Sequence, residues 1–365
     1  MENYIVTLSS LFIETHGGFN ITLVAKIAKA INYKIIVIGK DISKQYIHNL
    51  LVEDHSLIKH IISLPYTISI REENPTCINR TEIIQDYVNK NMVGEKIDKI
   101  LFFLDWHLWT HLKPLRDISK TVITFNRLNY RKLNDVYAEY NIEIPDYFNT
   151  ILNLQDKMVQ ESDYLLAGSE NCKENLLFYY PKANINIVPI FSSKNKHISS
   201  INYKPKFNSN NVIIIGRTDV QKGFFRLKQK IQKYNIIQTT SNYNLFTASD
   251  NLKENWNKIK WYDNVGDSLF ALFPAIYETR GLVLQEAMCL GLIPIVEKKS
   301  YGYAEQIDHG INGFLVDFDE NVDVIIDDIK AQYDLNYLEN MSKNNRLYFE
   351  EKSFIDSFLK CEIIN

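Results

Sequence analysis

At 365 residues the chain exceeds one ordinary core and suits two domains of about 180 residues each. Apolar residues make up 45% and charged residues 23%, the balance of an ordinary globular protein. A net charge of -3 excludes a whole-protein attraction to phosphate backbones or anionic lipid and leaves only a local basic face open. The four cysteines, Cys77, Cys172, Cys289 and Cys361, lie far apart with no C-x-x-C spacing. That argues against a disulfide framework or a zinc site and for reduced thiols in a cytosol. The first residues carry an acidic group at once and a short apolar run, so they read as a strand and not a signal peptide. No eighteen apolar residues run together, and a cytoplasmic protein is expected.

In chain order, Tyr4 to Leu8 reads as a strand, Asn20 to Ile31 as a helix and Lys34 to Ile38 as the next strand. Further strands are expected at Lys99 to Leu104, Thr121 to Phe125 and Tyr164 to Ala167. Continuous Ile- and Val-rich runs separated by amphipathic segments are the pattern of a buried parallel sheet with helical crossovers. The fold class is therefore α/β, doubly wound. After Ile190 the composition turns polar, and residues 192–210 read as a linker between a domain of 1–191 and one of 211–345. The alternation restarts at Val212 to Ile215, with strands expected at Ser268 to Phe273 and Ile293 to Val296 and helical character from Asn321 onward. Two such halves imply a cleft, with ligands at the carboxyl ends of strands.

The sharpest signal is FPAIYETRGLVLQEAMCLGLIPIV, Phe273 to Val296. Glu278 sits in a loop after a strand, Gly281 opens a helix, and Glu286 lies one turn in. Glycine there admits a ligand to the backbone, and a helix N-terminus offers N–H groups and positive dipole to a diphosphate. The competing reading is an amphipathic helix with a solvent-facing Glu286. A second signal is GRTDVQKGF, in which Gly216 and Arg217 follow a strand and Lys222-Gly223 come five residues later. Arg grips diphosphate oxygens in a fork and Lys acts as a point charge on the leaving nucleotide, against the alternative of two solvated cations at a turn. In the first half, Gly17-Gly18 lies between the first strand and first helix, and Asp105-Trp106-His107 follows a buried strand. His107 otherwise reads as a structural histidine at a strand end.

Pro274, Glu278, Gly281, Glu286, Ala287, Gly291 and Pro294 fall in register with P-S-x-x-E-x-x-G-x-x-x-x-E-A-x-x-x-G-x-P-V, with Ala275 in place of serine. This resembles the signature of the two-glutamate retaining glycosyltransferases of GT-B architecture, in which two Rossmann-like domains face each other across a cleft. The D-W-H resembles that of glycogen and starch synthases, and TFNRLNY (Thr124 to Tyr130) their T-x-H-N-x-x-Y with Asn126 for histidine. The resemblance implies that Glu278 contacts donor-sugar hydroxyls and Glu286 the ribose. It implies that Arg217 and Lys222 stabilise the leaving diphosphate and that His107 supports the transition state. Gly17, Gly18, Gly216, Thr279, Arg280, Gly281 and Leu282 would complete the donor site. A C-terminal helix, 346–365, would pack back on the first domain. No cofactor and no metal are implied, the nucleotide-sugar being a substrate with UDP-sugar favoured. The acceptor would be a glycan or glycoconjugate, with membrane contact at most peripheral.

GRTDVQKGF with LGLIPIVEKKS also resembles phage α-glucosyltransferases acting on DNA bases, which would need a basic groove. Two more readings compete with the transferase: an inactive binding or chaperone subunit, and a sugar-nucleotide epimerase or phosphorylase of the same fold. Asp317-Phe318-Asp319 matches a metal-binding D-x-D but follows NGFLV, read as a surface loop. FFRLKQKIQK (Phe224 to Lys233) reads as a solvated helix face, with contact to an anionic acceptor or membrane surface as its functional reading.

Overall fold

The computed structural model describes residues 1–8, 21–40, 55–64, 80–103, 106–126, 129–144, 148–192, 195–216, 220–227, 230–239, 265–350 and 354–364. They form two compact units, Met1–Pro189 with Ile355–Asn365, and Ile190–Phe354.

The first unit is built on seven parallel strands: β1 (Glu2–Leu8), β2 (Lys34–Lys40), β3 (Ile58–Leu64), β4 (Ile97–Phe103), β5 (Ser119–Asn126), β6 (Tyr164–Ala167) and β7 (Ile185–Ile187). Their order is β3-β2-β1-β4-β5-β6-β7. Tyr4 to Val6, Ile35 to Ile38 and Ile100 to Phe102 are fully buried, as strands covered on both faces must be. Helix α1 (Ile21–Ala30) makes the β1–β2 crossover, and α2 (Arg80–Asn91), α3 (Lys113–Asp117), α4 (Tyr130–Glu139), α5 (Phe148–Gln160) and α6 (Glu170–Tyr179) follow. Asn129 caps α4 by accepting from the N–H groups of Arg131 and Lys132, and Ser169 caps α6 by accepting from Cys172 N–H at 3.1 Å. Strand order reverses between β1 and β4, whose ends pair at Thr7 and Phe103. The carboxyl ends at such a switch point are where doubly wound sheets bind ligands. Residues 9–20, with Gly17-Gly18, and residues 104–105, with the first residue of the D-W-H, lie outside the described residues.

The second unit carries five parallel strands, β8 (Asn211–Ile215), β9 (Asn235–Thr239), β10 (Phe270–Phe273), β11 (Ile293–Glu297) and β12 (Phe314–Val316), in the order β12-β11-β10-β8-β9. Its switch point lies between β8 and β10. Helices α7 (Asn195–Ser199), α8 (Leu282–Leu290), α9 (Val322–Gln332) and α10 (Leu335–Glu350) pack around the sheet.

Three expectations are corrected. The stretch 192–210 is no free linker: Ile198 is fully buried in the core with Ile213, Phe273 and Leu284, and the Tyr203 hydroxyl donates to Ser268 O. Its apolar residues are too sparse to give a period. NGFLV is not a loop but contains edge strand β12, paired to β11. The tail joins the first unit only from Ile355, because α10 stays with the second, where Phe349 is buried. Beyond it, Phe358 in the helix Phe354–Leu359 packs 5.7 Å from Phe103, and Tyr33 Oη donates to Ile364 O at 2.8 Å.

Candidate active site

In the second unit, β8 ends at Ile215 and Gly216 follows with φ +130. The chain reaches Lys222 in a 3-10 turn and then passes Gly223, φ +68, where an added Cβ would lie 1.9 Å from Pro274 O. Only glycine permits that approach, which brings Lys222 beside the segment leaving β10.

That segment, Pro274 to Gly281, carries Glu278. Lys222 Nζ donates to Glu278 Oε2, and the two side chains are 12% and 13% exposed. The Thr279 N–H donates to Glu278 Oε1 at 3.0 Å. Burial alone would push the Glu278 carboxyl up. The Lys222 charge and hydrogen bond, with backbone N–H groups of Thr279 and Arg280, outweigh it and hold the group below its usual range. Glu278 is thus an ionised acceptor and not a proton donor.

Gly281 begins α8 with φ +71 and no side-chain cap, leaving the first turn of the helix to offer backbone N–H groups and positive dipole. An added Cβ there would lie 1.8 Å from the Tyr303 ring, and one at Gly302 would lie 2.2 Å from Thr279 C and O. Gly302 N–H donates to Glu278 O at 2.8 Å, and Gln306 Nε2 donates to Arg280 O and, at 2.7 Å, to Gly302 O. The glutamate loop is therefore seated on the turn that follows β11.

Glu286, 8% exposed, is buried in α8 and not solvent-facing; its Oε1 accepts from Ser192 Oγ at 2.5 Å. Gln285 accepts from Ser192 N–H at 3.1 Å and donates to Ile190 O at 3.0 Å. Arg280 Nε donates to Ile190 O at 3.3 Å, its Nη1 lies 3.4 Å from Glu305, and its guanidinium packs 5.5 Å from the Phe191 ring centre. Lys222, Glu278, Thr279, Gly281, Leu282 and Glu286 thus gather along the β8/β10 switch point and the start of α8. His107 lies in the 3-10 helix Trp106–Leu112 directly after β4. Gly17, Gly18 and Arg217 lie outside the described residues. Ser192, Tyr303 and Gln306 carried no signal in the sequence.

The D-x-D is a cross-tie. Arg226 pairs with Glu297 at 2.5 Å and with Asp319 at 3.1 Å, Lys298 pairs with Asp317 at 3.0 Å, and Phe318 is fully buried. The basic run is likewise no solvated helix face, since Phe224, Arg226 and Leu227 are buried in a short 3-10 turn and Lys233 pairs with Asp327 at 2.7 Å. Among the described residues, no group of three or more His, Cys, Asp or Glu is placed to hold a metal ion, and no helix is long and apolar enough to cross a membrane.

The match to known proteins coincides with this site. Residues 195–348 match the family model described as glycosyl transferases group 1. The matched stretch runs from α7 into α10 and so contains Lys222, Glu278 and Glu286. No curated protein matches the chain by sequence. Solved structures match nearly all of it. The sucrose-phosphate synthase of Thermosynechococcus elongatus has TM-score 0.65 and 16% identity, covering 96% of this chain and 94% of that one. A glycosyltransferase of Rickettsia africae gives 0.61 and 15%, covering 100% and 97%. HepE of Anabaena, solved with UDP and glucose, gives 0.58 and 13%, covering 98% and 97%. The shared fold is GT-B, with two parallel α/β sheets.

Proposed function

We propose that the chain is a retaining glycosyltransferase that moves a hexose-type sugar from a nucleotide-diphosphate sugar, UDP-sugar favoured, to a glycan, glycoconjugate or other hydroxyl acceptor. The observation that carries this reading is the Lys222–Glu278 pair beside the uncapped start of α8, at the switch point of a glycosyl transferases group 1 domain. The preference for UDP is supported by the Anabaena structures with UDP and UDP-glucose, which share the fold.

In this mechanism the diphosphate lies against the N-terminus of α8, and Lys222 and Arg217 neutralise the charge that builds on it as the sugar departs. Glu278, ionised, accepts hydrogen bonds from donor-sugar hydroxyls, and Glu286 from the ribose. His107, by the resemblance of the D-W-H, supports the transition state. The acceptor hydroxyl attacks the face that the diphosphate leaves and gives its proton to the departing phosphate oxygen. Cationic side chains and helix dipole do the work on the leaving group, so no metal is required.

Proton NMR of the transfer or hydrolysis product, taken before mutarotation, tests the stereochemical claim. An α-linked donor should give an α-configured product; a β-configured first product would refute front-face displacement.

A further inference from the structure

We propose that Tyr303 is a positioning residue for Lys222, the fixed anchor that holds the ammonium in place when Glu278 turns to the donor sugar. The inference rests on the transferase reading above and extends it to a residue outside both sequence motifs.

Tyr303 is 1% exposed and stands in the turn after β11. Its hydroxyl oxygen is 3.4 Å from Lys222 Nζ, whereas its ring centre is 5.4 Å away. The nitrogen is so much nearer the oxygen that it lies off the hydroxyl end of the ring and not over its face. The hydroxyl therefore faces the ammonium. The ring is held on other sides by Phe273, 5.1 Å away edge to face at the end of β10, and by Gly281, where an added Cβ would lie 1.8 Å from Cε1. Backbone bonds fix the same turn: Tyr303 N–H donates to Ser300 O and Gln306 N–H to Tyr303 O, both at 3.1 Å. One side chain thus touches the lysine after β8, the end of β10 and the start of α8.

Lysine carries a strongly hydrated point charge on a flexible four-carbon stem, so its charge is useful to a leaving group only where something fixes it. Glu278 and Tyr303 both face the ammonium. In the proposed mechanism Glu278 must accept hydrogen bonds from sugar hydroxyls, which loosens its hold on Lys222. That mechanism gives Tyr303 no sugar hydroxyl to hold. Being neutral, Tyr303 also leaves the full positive charge of Lys222 available to the diphosphate.

The test is Tyr303→Phe in the full chain, made alone and in a Lys222→Ala background. Tyr303→Phe keeps the ring and its packing against Phe273 and Gly281, so its melting temperature should stay near that of the wild type. We expect Tyr303→Phe to lower kcat for donor turnover about tenfold with donor KM changed less than about twofold, because the misplaced charge matters most in the transition state. In the Lys222→Ala background Tyr303→Phe should change kcat by less than about twofold, because no ammonium is left to hold. Full kcat in Tyr303→Phe, an undiminished loss in the Lys222→Ala background, or a loss carried wholly by KM would overturn the assignment while leaving the transferase reading intact. A folded wild-type chain that turns over no donor would instead overturn that reading and, with it, this one.

Discussion

Replacing Lys222 with methionine keeps most of the side-chain volume and removes the charge that faces Glu278. In the wild type the Glu278 carboxyl is held below its usual range, so the pair contributes stability that is present above about pH 4.5 and is lost as pH falls through the depressed folded value. In Lys222→Met the opposing influence of burial, the largest acting on this group, is left to dominate and raises the carboxyl instead. Breaking a buried pair by removing one partner costs about 3–5 kcal/mol, and the 12% and 13% exposure of these side chains puts the expected loss near the low end, about 3 kcal/mol at pH 7. The second unit spans Ile190–Phe354, a size at which each kcal/mol moves Tm by about 2–4 °C, so the drop should be roughly 6–12 °C. As pH is lowered from 7 towards 5, the variant takes up its proton before the wild type does, and the gap should narrow. Scanning calorimetry of both proteins at several pH values, with the two units analysed as separate transitions, measures this. A gap that is absent, or identical at pH 7 and pH 5, would refute the reasoning.

Two further predictions concern the frame of the site. Gly281→Ala places a Cβ 1.8 Å from the buried Tyr303 ring at φ +71, so it should destabilise the second unit by about 3 kcal/mol or more and weaken donor binding, as read by melting and by calorimetric titration with UDP. Arg226→Met strands the fully buried Glu297 and should cost about 3–5 kcal/mol in denaturant melts, whereas Arg226→Met combined with Glu297→Leu should recover most of it; equal losses in the single and double variants would contradict a structural role for the pair.

The parts of the fold that were legible are those whose chemistry is local. β1, β2, β4 and β6 announce themselves as short apolar runs because both faces of their sheet are covered. Glu278, Gly281 and Glu286 are readable because a loop and one helical turn fix their spacing within a few residues. What escaped depends on distance along the chain. Ser192 meets Glu286 across 94 residues and Tyr303 meets Lys222 across 81, and neither contact leaves a period in the sequence. β7 and β12, of three residues each, are too short to show alternation. The stretch 192–210 looked like a linker because its few buried residues, Ile198 among them, are embedded in polar ones. Asp317 and Asp319 show the converse: a metal-like spacing that three dimensions assign to Arg226 and Lys298.

The central claim is that Lys222 and Glu278 serve a nucleotide-diphosphate sugar. It is tested most directly by measuring turnover of a panel of UDP-, GDP-, ADP- and TDP-sugars by the wild type, Lys222→Ala and Glu278→Gln, with and without chelator. The account predicts saturable, chelator-insensitive cleavage of one donor by the wild type and a loss of at least about 100-fold in kcat in each folded variant. Turnover at the wild-type rate in either variant, or no binding of any donor by the wild type, would contradict it.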